Sequence, residues 1–356
     1  MNFFELVLPI ALTFVLIAVY ALVGVYAERK IAAFIQDRVG PDVVGYKGTL
    51  QTFADILKLI QKEIIVPKAA DKVLFWIAPV LIFAAVFAGF AVLPFSKIGS
   101  YANIHLAILW VMTIVSIDVI GILMAGWASN NKYSLFGSIR AVSQMIAYEI
   151  PLGFCIFSVS IIYGTLNILE IVAMQGSDGY TWGLWNAKSF GGLFLWSIFQ
   201  HPHLFFVFLI FFIAGLAECN RAPFDIPEAE SELIAGFHTE YSGFAFATMM
   251  LAEYANMLII SLLSVILFFG GWNSPLPNLG PLTLYEWTNH GLIWSSFWLL
   301  SKTIILIFVM MWIRWSWPRL RADQLLQISW KVFFPITLVL VILSALWKML
   351  IYSPVL

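Results

Sequence analysis

The stretch Ala217-Glu-Cys-Asn-Arg-Ala-Pro-Phe-Asp-Ile-Pro-Glu-Ala-Glu-Ser-Glu-Leu233 sets five carboxylates and one arginine, broken by two prolines, between two apolar segments. Those flanking segments decide the fold. Each is long enough to enter a bilayer, and ionisable groups held at that depth are expensive and usually functional. Working outward, apolar runs of roughly 17–25 residues fall near 6 to 27, 73 to 95, 102 to 128, 145 to 168, 203 to 218, 241 to 270, 292 to 313 and 332 to 352. They predict an all-α integral membrane protein with eight transmembrane helices in one membrane domain, 1–356. Gln200-His-Pro-His203 interrupts Gly191 to Ala217 and starts or kinks the fifth span, and the sixth is long enough to tilt.

Composition agrees. The chain is 62% hydrophobic and only 11% charged, against about 45–50% and 25% in a soluble domain. Such a chain cannot hide its apolar surface in a water-soluble core. The net charge of -1 gives no footprint for nucleic acid. The N-terminus, Met1-Asn-Phe-Phe-Glu5, lacks a basic region before its apolar run, so the run reads as a retained span. Cys155 and Cys219 are the two cysteines. They are too few for a self-contained four-cysteine Fe-S cluster or zinc site, and a disulfide framework is not expected.

Charge placement orients the chain. Fifteen of the 19 basic residues fall in loops 28–72, 129–144, 219–240 and 314–331, and the opposite connections hold only Lys97 and Lys188. Basic loops remain on the cytoplasmic side. Both termini are therefore expected outside, in periplasm or intermembrane space. In the first loop, Leu50, Phe53, Leu57, Ile60 and Ile64 recur at helical spacing opposite Gln51, Asp55, Lys58 and Lys62. This predicts an amphipathic helix from Thr49 to Ile64, lying in the membrane interface or against a soluble partner.

Redox ligands are hard to find. His105, His201, His203, His238 and His290 all sit near span ends or in loops, where a transmembrane haem would find no axial pair. There is no glycine-rich dinucleotide fingerprint and no phosphate loop. Buried acid and base are present instead. Asp118, Glu253 and Lys302 fall inside spans, with Glu149 and Glu218 at the cytoplasmic ends of the fourth and fifth. A lone charge at the bilayer centre costs about 2.5–3.5 kcal/mol, so these groups are expected to face one another or water, as a proton relay or as static ion pairs. Asp225-Ile-Pro-Glu228 reads as a helix start with Asp225 as N-cap, after which Glu228 and Glu232 share a face and Glu230 points away.

Several segments resemble one family closely. They are Ala27-Glu-Arg-Lys30 through Gln36-Asp-Arg-Val-Gly-Pro41, and Tyr133-Ser-Leu-Phe-Gly-Ser-Ile-Arg140 through Tyr148-Glu-Ile-Pro-Leu-Gly153. The opening stretch continues the match to His238-Thr-Glu-Tyr-Ser-Gly243, and Trp312-Ile-Arg314 with Pro318-Arg-Leu-Arg-Ala-Asp-Gln324 agrees. The family is the quinone-binding membrane subunit of proton-pumping NADH:quinone oxidoreductase, respiratory complex I. Asp42 and Tyr46 depart from residues common in it.

The resemblance implies a subunit that is not catalytic alone. It binds ubiquinone or menaquinone as substrate, while Fe-S clusters and FMN lie in partner subunits. Arg29, Asp37, Arg38, Asp55, Arg221, Asp225, Glu228, Glu230 and Arg319 would line or support the quinone passage. Glu149, Glu218, Glu232 and Glu253 would begin the proton-coupling path, to which the buried Asp118 and Lys302 add. Implied partners are the Fe-S and quinone-site peripheral subunits, antiporter-like and small membrane subunits, and lipid. The implied location is the bacterial cell inner membrane or the mitochondrial inner membrane. A homologous subunit of a membrane-bound hydrogenase or of a deazaflavin-linked reductase shares these features. An independent ion transporter would instead show internal repeats, and no convincing repeat is present.

Overall fold

A computed structural model describes residues 3–96, 102–176, 192–227, 233–278, 285, 288 and 291–352. Lys97, Lys188, Glu228, Glu230, Glu232 and His290 lie outside the described residues. Among those described there is helix and no strand. The order is α1 (Phe3–Ile35), α2 (Gln51–Gln61), α3 (Lys72–Gly89), α4 (Ala107–Ala128), α5 (Lys132–Tyr163) and α6 (Ile168–Met174). Then follow α7 (Pro202–Glu218), α8 (Gly243–Phe268), α9 (Leu292–Ser316), α10 (Ala322–Gln327) and α11 (Phe334–Tyr352), with one-turn helices between. A π-helical turn, Ile328–Phe333, joins α10 to α11 in one apolar helix. Counting that joined helix once, seven helices are long and apolar enough to span, and α7 is a shorter apolar eighth. The central one is α8, buried along nearly all its length, whereas α1 and the joined α10–α11 helix present broad apolar faces outward.

Several boundaries differ from the sequence expectation: the eighth span starts at Ala322 instead of 332, and the second ends at Gly89 instead of 95. The fourth span starts at Lys132 instead of 145, so most of 129–144 is helix and Glu149 lies mid-helix. Hydropathy missed this turn-by-turn burial because the packing residues are small and polar: Ser134, Gly137 and Ser138 face neighbouring backbone. Asn131 caps the helix, its Oδ1 accepting from the Tyr133 N–H at 3.0 Å. The first span runs on to Ile35, which puts Arg29 on helix. The amphipathic helix is Gln51–Gln61, shorter than the expected Thr49–Ile64.

Pro151 inside α5 cannot donate to the carbonyl of Ala147, one turn back. The hydroxyl of Ser329, from the π-helical turn, donates to that carbonyl instead. Nearby, the Tyr148 hydroxyl donates to the Leu325 carbonyl at 3.0 Å. A helix defect in one span is thus the docking point for another.

Candidate functional site

Four polar connections meet at one end of the bundle. Asn130 Nδ2 donates to the Ala69 carbonyl at 3.0 Å, Asn131 Nδ2 to Glu240 at 2.6 Å, and the Leu320 N–H to the Pro223 carbonyl at 3.2 Å. Ser242 Oγ ties the end of the first connection to the start of α8, accepting from the Ile65 N–H and donating to the Glu63 carbonyl, each at 3.2 Å. Gly243 permits this approach: at φ 60° it sits where a Cβ would lie 2.7 Å from the Lys62 carbonyl.

At their centre lies Glu28, on the last turns of α1 and buried. Its carboxylate accepts from Arg221 Nη1 at 3.1 and 3.2 Å, from the Tyr254 hydroxyl at 2.5 Å, and from Arg314. The Arg221 guanidinium also stacks 4.3 Å from the centre of the Tyr254 ring. Burial alone would lower the Arg221 pKa; the facing carboxylate of Glu28, together with Tyr254 and Glu253, outweighs it and holds the guanidinium well above its ordinary value.

Beside this cluster opens a cavity of about 470 Å³ between α1, α2, α8 and α9. One part of its wall is apolar, including Leu22, Val25, Ile56, Leu59, Phe246 and Met250. The other carries Glu28, Arg29, Arg38, Asp55, Tyr254 and Arg314. Arg29 Nη1 reaches Asp55 Oδ2 at 2.6 Å. Burial pushes the Asp55 carboxyl up, but Arg29 and then Lys58 together bring it below the usual carboxylate value. The helix face that lines the cavity is Thr52, Asp55, Ile56 and Leu59. Phe53, Leu57 and Ile60 are exposed, so the amphipathic stripe faces outward.

On the other side of α8 is a second polar group. Asp118, Glu218, Cys219, Asn220, His238, Glu253 and Asn256 line a cavity of about 10 Å³, near the lower limit for one water. Asn256 Nδ2 donates to Asp118 Oδ2 at 2.9 Å, and His238 Nε2 lies 3.1 Å from Glu253 Oε1. Glu218 Oε2 is buried without a hydrogen-bond partner among the described residues. Glu149 pairs with the Ser116 hydroxyl of α4 and lies within electrostatic range of Glu218. Glu253 and Tyr254 are consecutive on α8, about 100° apart around its axis, and they face the two sites.

The structure thus brings together Arg29 with Asp55, and Arg319 with Asp225 at 3.0 Å. Burial raises the Asp225 carboxyl, against the pull of Arg319 and Arg314. Arg38 lines the cavity while its Nε donates to Gln36 at 2.7 Å; Asp37 is exposed and takes no part. Lys302 stands apart from the acids, on backbone carbonyls beyond the end of α8. Glu28, Tyr254, Arg314 and His238 carry the site without having been singled out from sequence. Glu28 could have been found, since a carboxylate on an apolar helix beside two basic residues needs a partner; the other three have no local signal. Among the described residues no three His, Cys, Asp or Glu side chains gather as a metal site.

Residues 8–345 match the family model described as NADH dehydrogenase. The chain is 51% identical over 352 residues to the H subunit (number 2) of the NADH-quinone oxidoreductase of Cytophaga hutchinsonii, covering 93% of this chain and 96% of the relative. It is 50% identical over 343 residues to the NADH-quinone oxidoreductase H subunit of Chlorobaculum parvum, with 96% and 92% covered. The corresponding H subunit of Chlorobium luteolum is 51% identical over 345 residues, with 97% and 89% covered. Matched nearly end to end at this identity, and all-helical with apolar spans, the chain belongs to the H-subunit family of NADH-quinone oxidoreductase, the membrane subunit of respiratory complex I that is part of an enzyme without being one alone.

Proposed function

We propose that this subunit forms the quinone passage of its complex, in the bacterial cell inner membrane, and that quinone reduction there is coupled to proton movement through the acids behind α8. The carrying observation is the cavity of about 470 Å³, apolar on one side and charged on the other. An isoprenoid tail suits the apolar wall, and the two carbonyl oxygens of a quinone head suit the donors Arg29, Arg38 and Arg314. Peripheral Fe-S partners supply the electrons. The two electrons reach the head before its two protons, which are taken from water along the charged wall, so the field at Glu28 and its three donors changes within each turnover.

Tyr254 and Glu253 carry that change across α8. A shift in the Glu28 cluster moves Tyr254, and its neighbour Glu253 answers to His238, Asp118 and Glu218 on the far face. Low dielectric there makes each added or removed charge count. Glu149 extends the acids into α5, toward antiporter-like partners. Arg221, Asp225 and Arg319 hold the loop wall, and Glu228, Glu230 and Glu232 belong to the same acidic loop. Both termini lie outside and the four polar connections face the cytoplasm, as the basic-residue count supports.

Narrowing the cavity is the direct test. Leu59→Trp or Met250→Trp in the assembled complex is expected to raise the quinone KM about tenfold or more, while NADH oxidation by a soluble artificial acceptor is unchanged. Unaltered quinone kinetics in both variants would refute the passage.

A further inference from the structure

The last carbonyls of a helix have no partner within it and must find one elsewhere. Past the end of α8 the chain turns through Gly270 and Gly271, at φ 70° and 51°. A Cβ there would lie 2.5 Å from Trp196 and 2.7 Å from Val172, so the turn is pressed tightly against its neighbours. Gln175, just after α6, donates to the carbonyls of Ile266 and Leu267 at 2.9 and 3.2 Å and accepts from the Gly270 N–H at 2.8 Å. Asn273 Nδ2 donates to the Val172 carbonyl at 3.2 Å. With the turn fixed in this way, the carbonyls of Phe269, Gly271 and Asn273 converge on one point. Nζ of Lys302, from α9, occupies it at 2.8, 2.9 and 2.6 Å, and the Trp196 ring centre is 4.4 Å away.

Counting donors points to a cation. A neutral amine has two N–H groups and an ammonium has three; three carbonyls at hydrogen-bond distance are all satisfied only by the ammonium. The negative end of α8 and the face of the indole both favour a cation at this place. The site also lies about 24 Å along the helix from Glu253 at 1.5 Å per residue.

We propose that these carbonyls and the Trp196 ring form a monovalent-cation site, occupied by the tethered ammonium of Lys302 as a fixed charge that caps α8 and carries no protons. Emptied of its lysine, the cage fits a small primary ammonium or a partly hydrated potassium ion, its three carbonyl oxygens replacing part of the hydration shell.

The test uses the intact complex with Lys302→Ala, assayed for thermal inactivation and protons pumped per electron in potassium, sodium, methylammonium and choline chlorides at matched ionic strength. The inactivation midpoint is expected to fall by about 5 °C in choline and to recover saturably with potassium and with methylammonium. The wild-type midpoint is expected to stay flat. Recovery of pumping by potassium, which holds no transferable proton, supports the fixed charge. Recovery by methylammonium with potassium inert would make Lys302 a proton carrier and overturn the proposal, as would an unchanged midpoint in all four salts. If Lys302→Ala does not assemble, Lys302→Arg and Lys302→Met decide. The arginine keeps a charge that it cannot give up. Wild-type pumping in Lys302→Arg supports the cage; quinone reduction without pumping, or assembly of Lys302→Met but not Lys302→Arg, overturns it.

Discussion

Replacing Glu28 with Gln keeps the size of the side chain and removes the counter-charge of Arg221. The Arg221 side chain is 5% exposed and the Glu28 side chain 6%, so neither can recover its hydration without the loops parting. Breaking a buried pair by neutralising one member costs about 3–5 kcal/mol. The Arg314 side chain, 25% exposed, rehydrates and adds below about 1 kcal/mol. For a chain of 356 residues the sum corresponds to a fall on the order of 5 °C in the unfolding midpoint. Thermal release of this subunit from the purified complex measures it. The double variant Glu28→Leu with Arg221→Met is expected to recover most of the loss, because apolar side chains of similar volume replace buried ion pairs at little cost. A double-mutant cycle through Glu28→Leu and Arg221→Met should yield a coupling of about 2 kcal/mol or more. A midpoint unchanged in Glu28→Gln, or a double variant as unstable as the two single changes added together, would refute the cluster as the anchor of the loops.

The two loop carboxylates respond to acid in opposite ways. Asp225, its pKa raised by burial, takes up a proton earlier than a free carboxylate as pH falls and releases Arg319, so the quinone KM is expected to rise on acidification and to be high and flat with pH in Asp225→Asn. The linked stability is present at low pH for Asp225 and is lost as pH rises through its folded pKa; for Asp55, with its lowered pKa, it is present at neutral pH and lost only below the ordinary carboxylate range. Gly126→Ala places a Cβ 2.0 Å from Ser138 Oγ and must part α4 from α5, costing about 1–3 kcal/mol; Ser138→Gly in the same chain should restore the midpoint in part, since the Ser134 carbonyl stays 2.9 Å from that Cβ. Cysteines introduced at the exposed positions Val43, Tyr133 and Arg321 are expected to react with an impermeant thiol reagent from the cytoplasmic side alone, and labelling from the outside would overturn the orientation.

The spans were legible because their physics is local: a bilayer demands long apolar runs, and the chain supplies them. Charge counting put the four basic connections together, and hydrogen bonds join them at one end of the bundle; that this end faces the cytoplasm is what we propose. Where small polar residues pack against backbone, as at Ser134 and Ser138, hydropathy began the fourth span too late in the sequence and moved Glu149 from mid-helix to an end. Pairings were less legible than residues. Arg29, Asp55, Arg221, Asp225 and Arg319 could each be named, yet their partners come from segments up to 193 positions away. Glu28 collects three donors from three different segments, which no spacing rule anticipates. Lys302 shows the converse, a buried amine whose partners are backbone carbonyls and so leave no trace in side-chain chemistry.

A photoreactive quinone carrying its label in the isoprenoid tail, bound to the assembled complex under turnover, tests the central claim most directly when the crosslinked peptides are mapped by mass spectrometry. Labelling is expected in this subunit at the walls of the cavity, in segments 21–32, 52–59 and 246–254, and to be competed by unlabelled quinone. Competed labelling confined to other parts of the chain or to other subunits, with none in these three segments, would contradict the passage between α1, α2, α8 and α9.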